Sequence, residues 1–205
     1  DIHLPNGDIY IKKHMDGVIF AGEVDIRVIE EFRKQSIPVV LVNNYLDMDG
    51  LVCISADHYG GAVQATEYLC KLGHCKIGLL SGRFSPQVSE ARIEGFVKTL
   101  AKYDIPVDDR FIADIEPALE DGEEIMTRML RGVDRPTAFF CTNDTIAAGA
   151  MKAVTRAGLR VPEDIAIIGF DDSYISRVVE PELTTVRIDA AKMGCLAMQT
   201  LFDLI

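Results

Sequence analysis

The segment Val161–Asp172 constrains the fold of this chain more than any other stretch. A proline and two acidic residues lead into a nearly unbroken apolar run, which ends at Gly169-Phe170 and two aspartates. A run of this length with β-branched residues predicts a strand buried on both faces, as in a parallel sheet. Because ligands of open parallel α/β sheets bind beyond the carboxyl ends of the strands, Asp171 is a candidate ligand contact.

The rest of the chain repeats this pattern of buried strands separated by amphipathic helices. Apolar runs predict further strands at 16–22, 37–42, 52–55, 76–80, 111–115, 137–141 and 183–188. Strands that alternate with helical stripes indicate βαβ units, so we predict an α/β fold with parallel sheets. Residues 1–15 contain no comparable run, and we therefore expect the first strand of such a domain to be absent.

Composition narrows the class of protein and its partners. The 205 residues carry a net charge of −11, which gives these residues no general attraction for nucleic acid or anionic lipid. The longest apolar runs have the length of strands and fall short of a membrane helix. Four histidines form no spaced pair, so we predict no metal site and no cofactor. The cysteines are odd in number and irregularly spaced, which predicts buried free thiols in a reducing compartment: Cys53, Cys70, Cys75, Cys141 and Cys195.

Polar side chains follow several of the predicted strands directly. These strand ends are Asn43-Asn44, Ser81-Gly82-Arg83, Thr142-Asn143-Asp144 and Asp171-Asp172, and Arg92 joins them from the start of a helix. The set combines carboxylate and amide acceptors with amide and guanidinium donors. Such a set suits a small polyhydroxylated or heterocyclic ligand, whose polar groups must all be matched after desolvation.

Each of these residues also has a structural interpretation. Asn143 or Thr142 would cap the following helix, Asp144 would complement its dipole, and one of the two aspartates would hold a turn. Arg92 would form an exposed ion pair with Glu94 or Asp104. The recurrence of polar groups at the strand ends favours the ligand hypothesis, most of all for Asp171, Asn143 and Arg92.

The sequence resembles the effector-binding core of the lactose-repressor family of bacterial transcription regulators. The segments that carry the resemblance fall in family order over nearly all of the chain: 16–19, 37–42, 72–74 with Ile77, 92–96, 136–138, 143–144, 158–165, 169–172 and 183–186. The resemblance implies a periplasmic-binding-protein-like fold of type I, with two Rossmann-like subdomains joined by crossovers and an effector in the cleft between them. It divides the chain into an incomplete N-terminal subdomain, 1–57 with 186–205, and a C-terminal subdomain, 58–185.

The resemblance also implies site residues by motif position. Arg92, Asn143 and Asp171 match the arginine, asparagine and aspartate with which the family usually contacts its effector. Asn43 stands at a strand end where many members have aspartate, a departure that changes which pattern of hydroxyl groups this position would contact. The loop from Phe84 to Ser89 corresponds to a variable wall of the cleft, and the sequence predicts that Pro86 lies in this loop.

Three functions compete at this point. The first is a ligand-responsive regulator, a repressor that senses a small molecule, commonly a sugar in this family, as a cytoplasmic homodimer without membrane contact. It would bind operator DNA through an N-terminal helix-turn-helix that these residues do not contain. The second is a periplasmic sugar-binding protein of a transport system, which has the same fold. The third, an enzyme, is disfavoured because the chain has no G-x-G-x-x-G after its first strand, no G-x-S-x-G and no H-E-x-x-H.

Overall fold

A computed structural model describes residues 15–46, 48–132 and 134–205 of the chain. The described residues form eight strands: β1 (Val18–Ala21), β2 (Val39–Val42), β3 (Val52–Ile54), β4 (Ile77–Gly82), β5 (Ile112–Ile115), β6 (Ala138–Cys141), β7 (Ala166–Asp171) and β8 (Thr184–Arg187). They also form six α-helices: α1 (Ile26–Lys34), α2 (His58–Lys71), α3 (Pro86–Lys102), α4 (Leu119–Met129), α5 (Asp144–Arg156) and α6 (Ala190–Leu204). The predicted polar segment at the N-terminus lies outside the described residues, so the absence of a first strand stays a prediction.

The chain divides into two compact units. The first comprises Asp1–Ala56 and Asp189–Ile205, and the second comprises Asp57–Ile188. Each unit contains one sheet, and every strand pair in both sheets is parallel. The prediction of an α/β fold with parallel sheets is therefore confirmed.

The first unit has the sheet order β1-β2-β3. One face of this sheet packs against Ile29 and Phe32 of α1, and the other packs against Ala197 and Leu201 of α6. Helices on both faces explain why Val39–Val42 reads as a continuous apolar run, because a strand covered on both sides has no solvent-facing positions.

The second unit has the sheet order β5-β4-β6-β7-β8. The chain places β5 on one side of β4 and then crosses to the other side with β6, so the direction of winding reverses between β4 and β6. Helices α2 and α3 cover one face around Phe140 and Phe170, and α4 and α5 cover the other around Phe139 and Cys141. In such sheets a crevice opens at the carboxyl ends of the two strands that flank the reversal.

An aspartate before an apolar helical stripe and a glycine after it are common signals of helix ends, and α2 has both. Asp57 accepts from the Gly60 amide, and Gly73 follows the helix with a φ of +90°. Two predictions from the sequence are wrong. Pro86 is the first residue of α3 and not part of a loop, because its fixed φ and missing N–H suit the first helical position. All five cysteines are free, as predicted, but Cys75 and Cys195 are exposed and not buried.

Candidate functional site

Arg92 is the centre of a polar cluster in the second unit. It lies on the buried stripe of α3, one turn after Val88 and one turn before Phe96, and only 3% of the residue is exposed. The Nη1 atom donates to the backbone oxygen of Thr142, and Nη2 donates to Oδ1 of Asp171 at 3.3 Å. A buried guanidinium requires such partners, because an unpaired charge away from water is strongly unfavourable.

The interpretation of Arg92 as an exposed ion pair with Glu94 or Asp104 is therefore wrong. Glu94 pairs instead with Lys98 on the same helix, one turn further along the chain. Arg92 points toward the sheet because residues three or four positions apart share one helix face, and its face is the one that carries the core residues.

Two aromatic rings cover the guanidinium of Arg92. Its Cζ atom lies 4.1 Å from the ring centroid of Phe170 and 4.8 Å from that of Phe84. Guanidinium groups stack favourably on aromatic faces, and the rings also limit the directions in which the charge can move. Phe84 is therefore placed beside Arg92, although its predicted contact with an effector remains a prediction.

The ends of β4 and β6 meet at this cluster. The Gly82 amide donates to Oγ1 of Thr142 at 2.7 Å, and Thr142 is fully buried. Because the winding of the sheet reverses between these two strands, the cluster lies where an open α/β sheet is expected to bind a ligand. Asn143 caps α5, since its Oδ1 atom accepts from the Ile146 amide at 2.8 Å. The capping interpretation of Asn143 is confirmed, and its contact with an effector is untested.

Asp171 ends β7 with an unusual backbone conformation. Its φ of +112° lies in the region that favours glycine, and such strain persists at sites where the surrounding structure fixes the residue. Burial raises the pKa of the Asp171 carboxyl to about 6; the charge of Arg92 opposes this shift, and Asp144 adds to it. The neighbouring Asp172 accepts from the Ser176 hydroxyl and lies near Arg177, as expected for the aspartate that holds a turn.

Asp144 has a larger structural role than its sequence position indicates. It is 1% exposed, Oδ2 accepts from the Ser173 amide at 2.6 Å, and Oδ1 accepts from the Thr185 hydroxyl. The carboxylate therefore ties the start of α5 to the loop after β7 and to β8. The sequence interpretation as a dipole complement missed these contacts, which join residues far apart along the chain.

His58 is the main residue of the cluster that the sequence analysis did not select. It is the first residue of α2, it is 7% exposed, and its Nδ1 atom lies 3.2 Å from Nη2 of Arg92. Burial, followed by the charge of Arg92, lowers the pKa of His58 to about 4. The only sequence signal was its position directly after the helix cap Asp57, which did not distinguish it from an ordinary first-turn residue.

Two glycines allow α2 to approach this cluster closely. A Cβ atom on Gly61 would lie 2.6 Å from the Phe170 ring, and one on Gly95 would lie 2.7 Å from the backbone oxygen of Tyr59. Side chains at either position would separate α2 from β7 or from α3. The glycines therefore permit the contact between His58 and Arg92.

The other predicted strand-end residues make different contacts. Asn43 belongs to the first unit, is exposed, and has a φ of +51°; its predicted role is untested. Its neighbour Asn44 is buried and donates from Nδ2 to the Gly22 oxygen at 2.9 Å, which joins the loops after β2 and β1. Arg83 follows β4 but is exposed and pairs with Asp114 and Glu116.

No group of three or more histidine, cysteine, aspartate or glutamate side chains among residues 15–46, 48–132 and 134–205 is arranged to hold a metal ion. In the same part of the chain, no helix is both long enough and apolar enough to cross a membrane.

The chain is similar in sequence to a known domain family and to bacterial transcriptional repressors. A family described as a periplasmic binding protein-like domain matches residues 66–205. The probable HTH-type transcriptional repressor ExuR of Bacillus subtilis (strain 168) is 35% identical over 204 residues, covering 98% of this chain and 61% of the repressor. The chain thus spans about three fifths of the length of this curated relative.

Solved structures agree with this relationship. A regulatory protein of the LacI family from Chloroflexus aggregans has a TM-score of 0.84 and 30% identity, over 92% of this chain and 68% of that one. A LacI family transcriptional regulator from Enterococcus faecium with bound ribose has a TM-score of 0.82 and 29% identity, over 92% of this chain and 70% of that one.

Proposed function

The chain belongs to the lactose-repressor family of transcription regulators, and from this membership we propose that it is the effector-binding part of a ligand-responsive repressor. The effector is a small polyhydroxylated molecule, a sugar, and Arg92, Asp171, Asn143, Phe84 and Asn43 contact it. The observation that carries the proposal is the ion pair between buried Arg92 and half-buried Asp171, next to the strand ends where the sheet of the second unit reverses its winding. The ribose bound to the Enterococcus faecium regulator supports a sugar as the class of effector.

The chemistry of the pair suits vicinal hydroxyl groups. The Asp171 carboxylate accepts from hydroxyls, a guanidinium donates to them, and an aromatic face such as Phe84 covers the apolar face of a sugar ring. Hydroxyl donors favour the ionised form of a carboxylate. Since the pKa of Asp171 in the absence of effector is about 6, affinity for a hydroxyl donor falls as the pH is lowered through that value.

The two compact units correspond, in this proposal, to the two effector-binding subdomains of the family. Effector binding biases an equilibrium between two conformations, and this bias reaches operator DNA through an N-terminal domain outside these residues. The protein acts as a cytoplasmic homodimer without catalytic activity. The alternative of a periplasmic transport protein is less supported, because the relatives that match are transcriptional repressors.

A thermal-shift screen of the full gene product tests the proposal. The panel contains D-ribose, other monosaccharides, disaccharides, sugar phosphates and purines. A ligand at one hundred times its dissociation constant stabilises the folded state by about 2.7 kcal/mol, which raises the melting temperature of a domain the size of this chain by roughly 5–10 °C.

Matched variants test whether the ligand-induced rise in melting temperature depends on the cluster around Arg92. Arg92→Met keeps the apolar stem and removes the charge, and Asp171→Asn keeps the shape and removes the charge; both abolish the ligand-induced shift. Arg83→Met is the control, since Arg83 is also an arginine near the end of β4 but is exposed and paired elsewhere. A shift that survives in both Arg92→Met and Asp171→Asn rules out the assignment of the site.

A further inference from the structure

His58 contacts the centre of the cluster but has no role in the function proposed above. Its ring lies between the start of α2 and the sheet, with its centroid 6.1 Å from that of Phe170, and Nδ1 faces Nη2 of Arg92. The same Nη2 atom donates to Asp171. His58 is thus one contact away from the carboxylate that is proposed to bind the effector.

The contact with Arg92 determines which ring nitrogen of His58 carries the hydrogen. Arginine is always protonated in proteins and has no acceptor, so Nδ1 must accept the hydrogen bond and carry no proton of its own. The hydrogen of the neutral ring is then on Nε2. The position of His58 at the positive end of α2 acts in the same direction, because a helix N-terminus disfavours a nearby cation.

Charged groups on three elements of the second unit lie near His58. Asp57 precedes it at the start of α2, Arg92 faces it from α3, and Asp171 lies beyond Arg92 at the end of β7. Burial and Arg92 lower the pKa of His58, and Asp57 opposes them. The His58 ring is therefore neutral throughout the physiological pH range, and its Nδ1 atom can accept a hydrogen bond from the Arg92 guanidinium.

We propose that His58 is a positioning residue, whose unprotonated Nδ1 atom holds the Arg92 guanidinium in place for effector binding. Nη1 is fixed by the Thr142 oxygen, the flat face by Phe170, and His58 with Asp171 fixes Nη2. The binding role of His58 depends on the function proposed above, but its effect on Arg92 does not.

Nitrogen-15 NMR of histidine-labelled full-length protein tests the ligand-independent part. The expected result is a single tautomer of His58 with the proton on Nε2, and little titration above pH 5. In Arg92→Met the titration midpoint of His58 rises, because a neighbouring positive charge has been removed. His74 is the internal reference: its Nδ1 contacts the Thr137 hydroxyl, and its signals do not respond to Arg92→Met. A proton on Nδ1, or a midpoint unchanged in Arg92→Met, overturns the proposal.

Two substitutions of His58 test the binding part. His58→Asn restores an acceptor near the position of Nδ1, whereas His58→Leu has similar bulk and no acceptor. D-ribose and every panel sugar that shifts the parent protein are titrated against both variants by calorimetry. We expect affinity to fall roughly tenfold or more in His58→Leu and to be largely restored in His58→Asn, as for the loss of one buried hydrogen bond.

The outcomes separate the two proposals. Equal affinity of the Leu and Asn variants overturns the positioning role in binding. If no panel member shifts the parent protein, the proposed sugar-binding function fails, and the NMR experiment alone decides whether His58 holds Arg92.

Discussion

The contact between α4 and α5 predicts a large effect of a single methyl group. At Gly149 on α5, a Cβ atom would lie 2.0 Å from the Leu119 backbone oxygen and 2.8 Å from the Glu123 amide nitrogen. From the other side, a Cβ on Gly122 would lie 2.4 Å from the Ile146 oxygen. The two helices therefore touch through their backbones, and neither side can yield by rotating a side chain.

The magnitude for Gly149→Ala follows from this geometry. Ordinary contact begins near 3.4 Å, so the α4 backbone must retreat by 1.4 Å from the new methyl group. Overpacking of a rigid core contact costs about 1–3 kcal/mol or more, and the upper end applies because backbone atoms are on both sides. Alanine regains about 0.5–1 kcal/mol of helix propensity. We expect a net loss of about 2 kcal/mol in the free energy of unfolding, or roughly 4–8 °C in melting temperature.

Gly194→Ala is the matched control. Gly194 also lies within a helix, α6, but a Cβ atom there meets nothing within 4 Å. The same substitution should therefore stabilise the first unit by about 0.5–1 kcal/mol. Differential scanning calorimetry of both variants beside the parent chain measures the two effects. An unchanged or raised melting temperature in Gly149→Ala refutes the close backbone contact between α4 and α5.

Three further predictions concern the cluster. Asp144→Asn lowers the pKa of Asp171, because the Asp144 charge raises it; carboxyl carbon-13 NMR measures the change. Asn143→Ala costs about 1 kcal/mol in urea unfolding through the lost cap of α5, whereas Asn143→Ser, which can also cap a helix, costs less. Because the pKa of His58 is lowered on folding, His58 contributes to the free energy of unfolding above pH 6.5, and this contribution is lost as the pH falls toward 4. Between pH 7 and pH 4, the free energy of unfolding of His58→Asn therefore falls by about 3 kcal/mol less than that of the parent protein. Asp171, whose pKa is raised to about 6 on folding, acts in the opposite direction: its contribution is present below pH 3.8 and is lost as the pH rises through 6.

The parallel sheets were predictable because their signals are local. The apolar run before Asp171 and the helix caps Asp57 and Asn143 depend on residues within one or two turns of each other. The strand end at Asp171 was predictable for the same reason, whereas Arg92 was selected from the start of a helix and by its match to the family motif. The structure joins the two residues.

The contacts of His58 and Asp144 were not predictable from such signals. His58 meets Arg92 only because α2 crosses close to α3 at Gly95, and Asp144 meets Thr185 only because β8 lies beside β7. Neither of these contacts between elements produces a periodic pattern in the sequence. Pro86 was placed in a loop because proline disrupts helices in their interior, although it is tolerated at the first position.

Three hydrogen bonds of Arg92 have a consequence for how the protein is made. They join positions that are 34, 50 and 79 residues apart, through His58, Thr142 and Asp171. Each requires a long loop to close, so the cluster is complete only after β7 has joined the sheet. A nascent chain that has not yet reached Asp171 holds an arginine without its carboxylate. The site proposed for the effector is therefore incomplete until Asp171 has been synthesised and β7 has joined the sheet, so a shorter nascent chain would lack it.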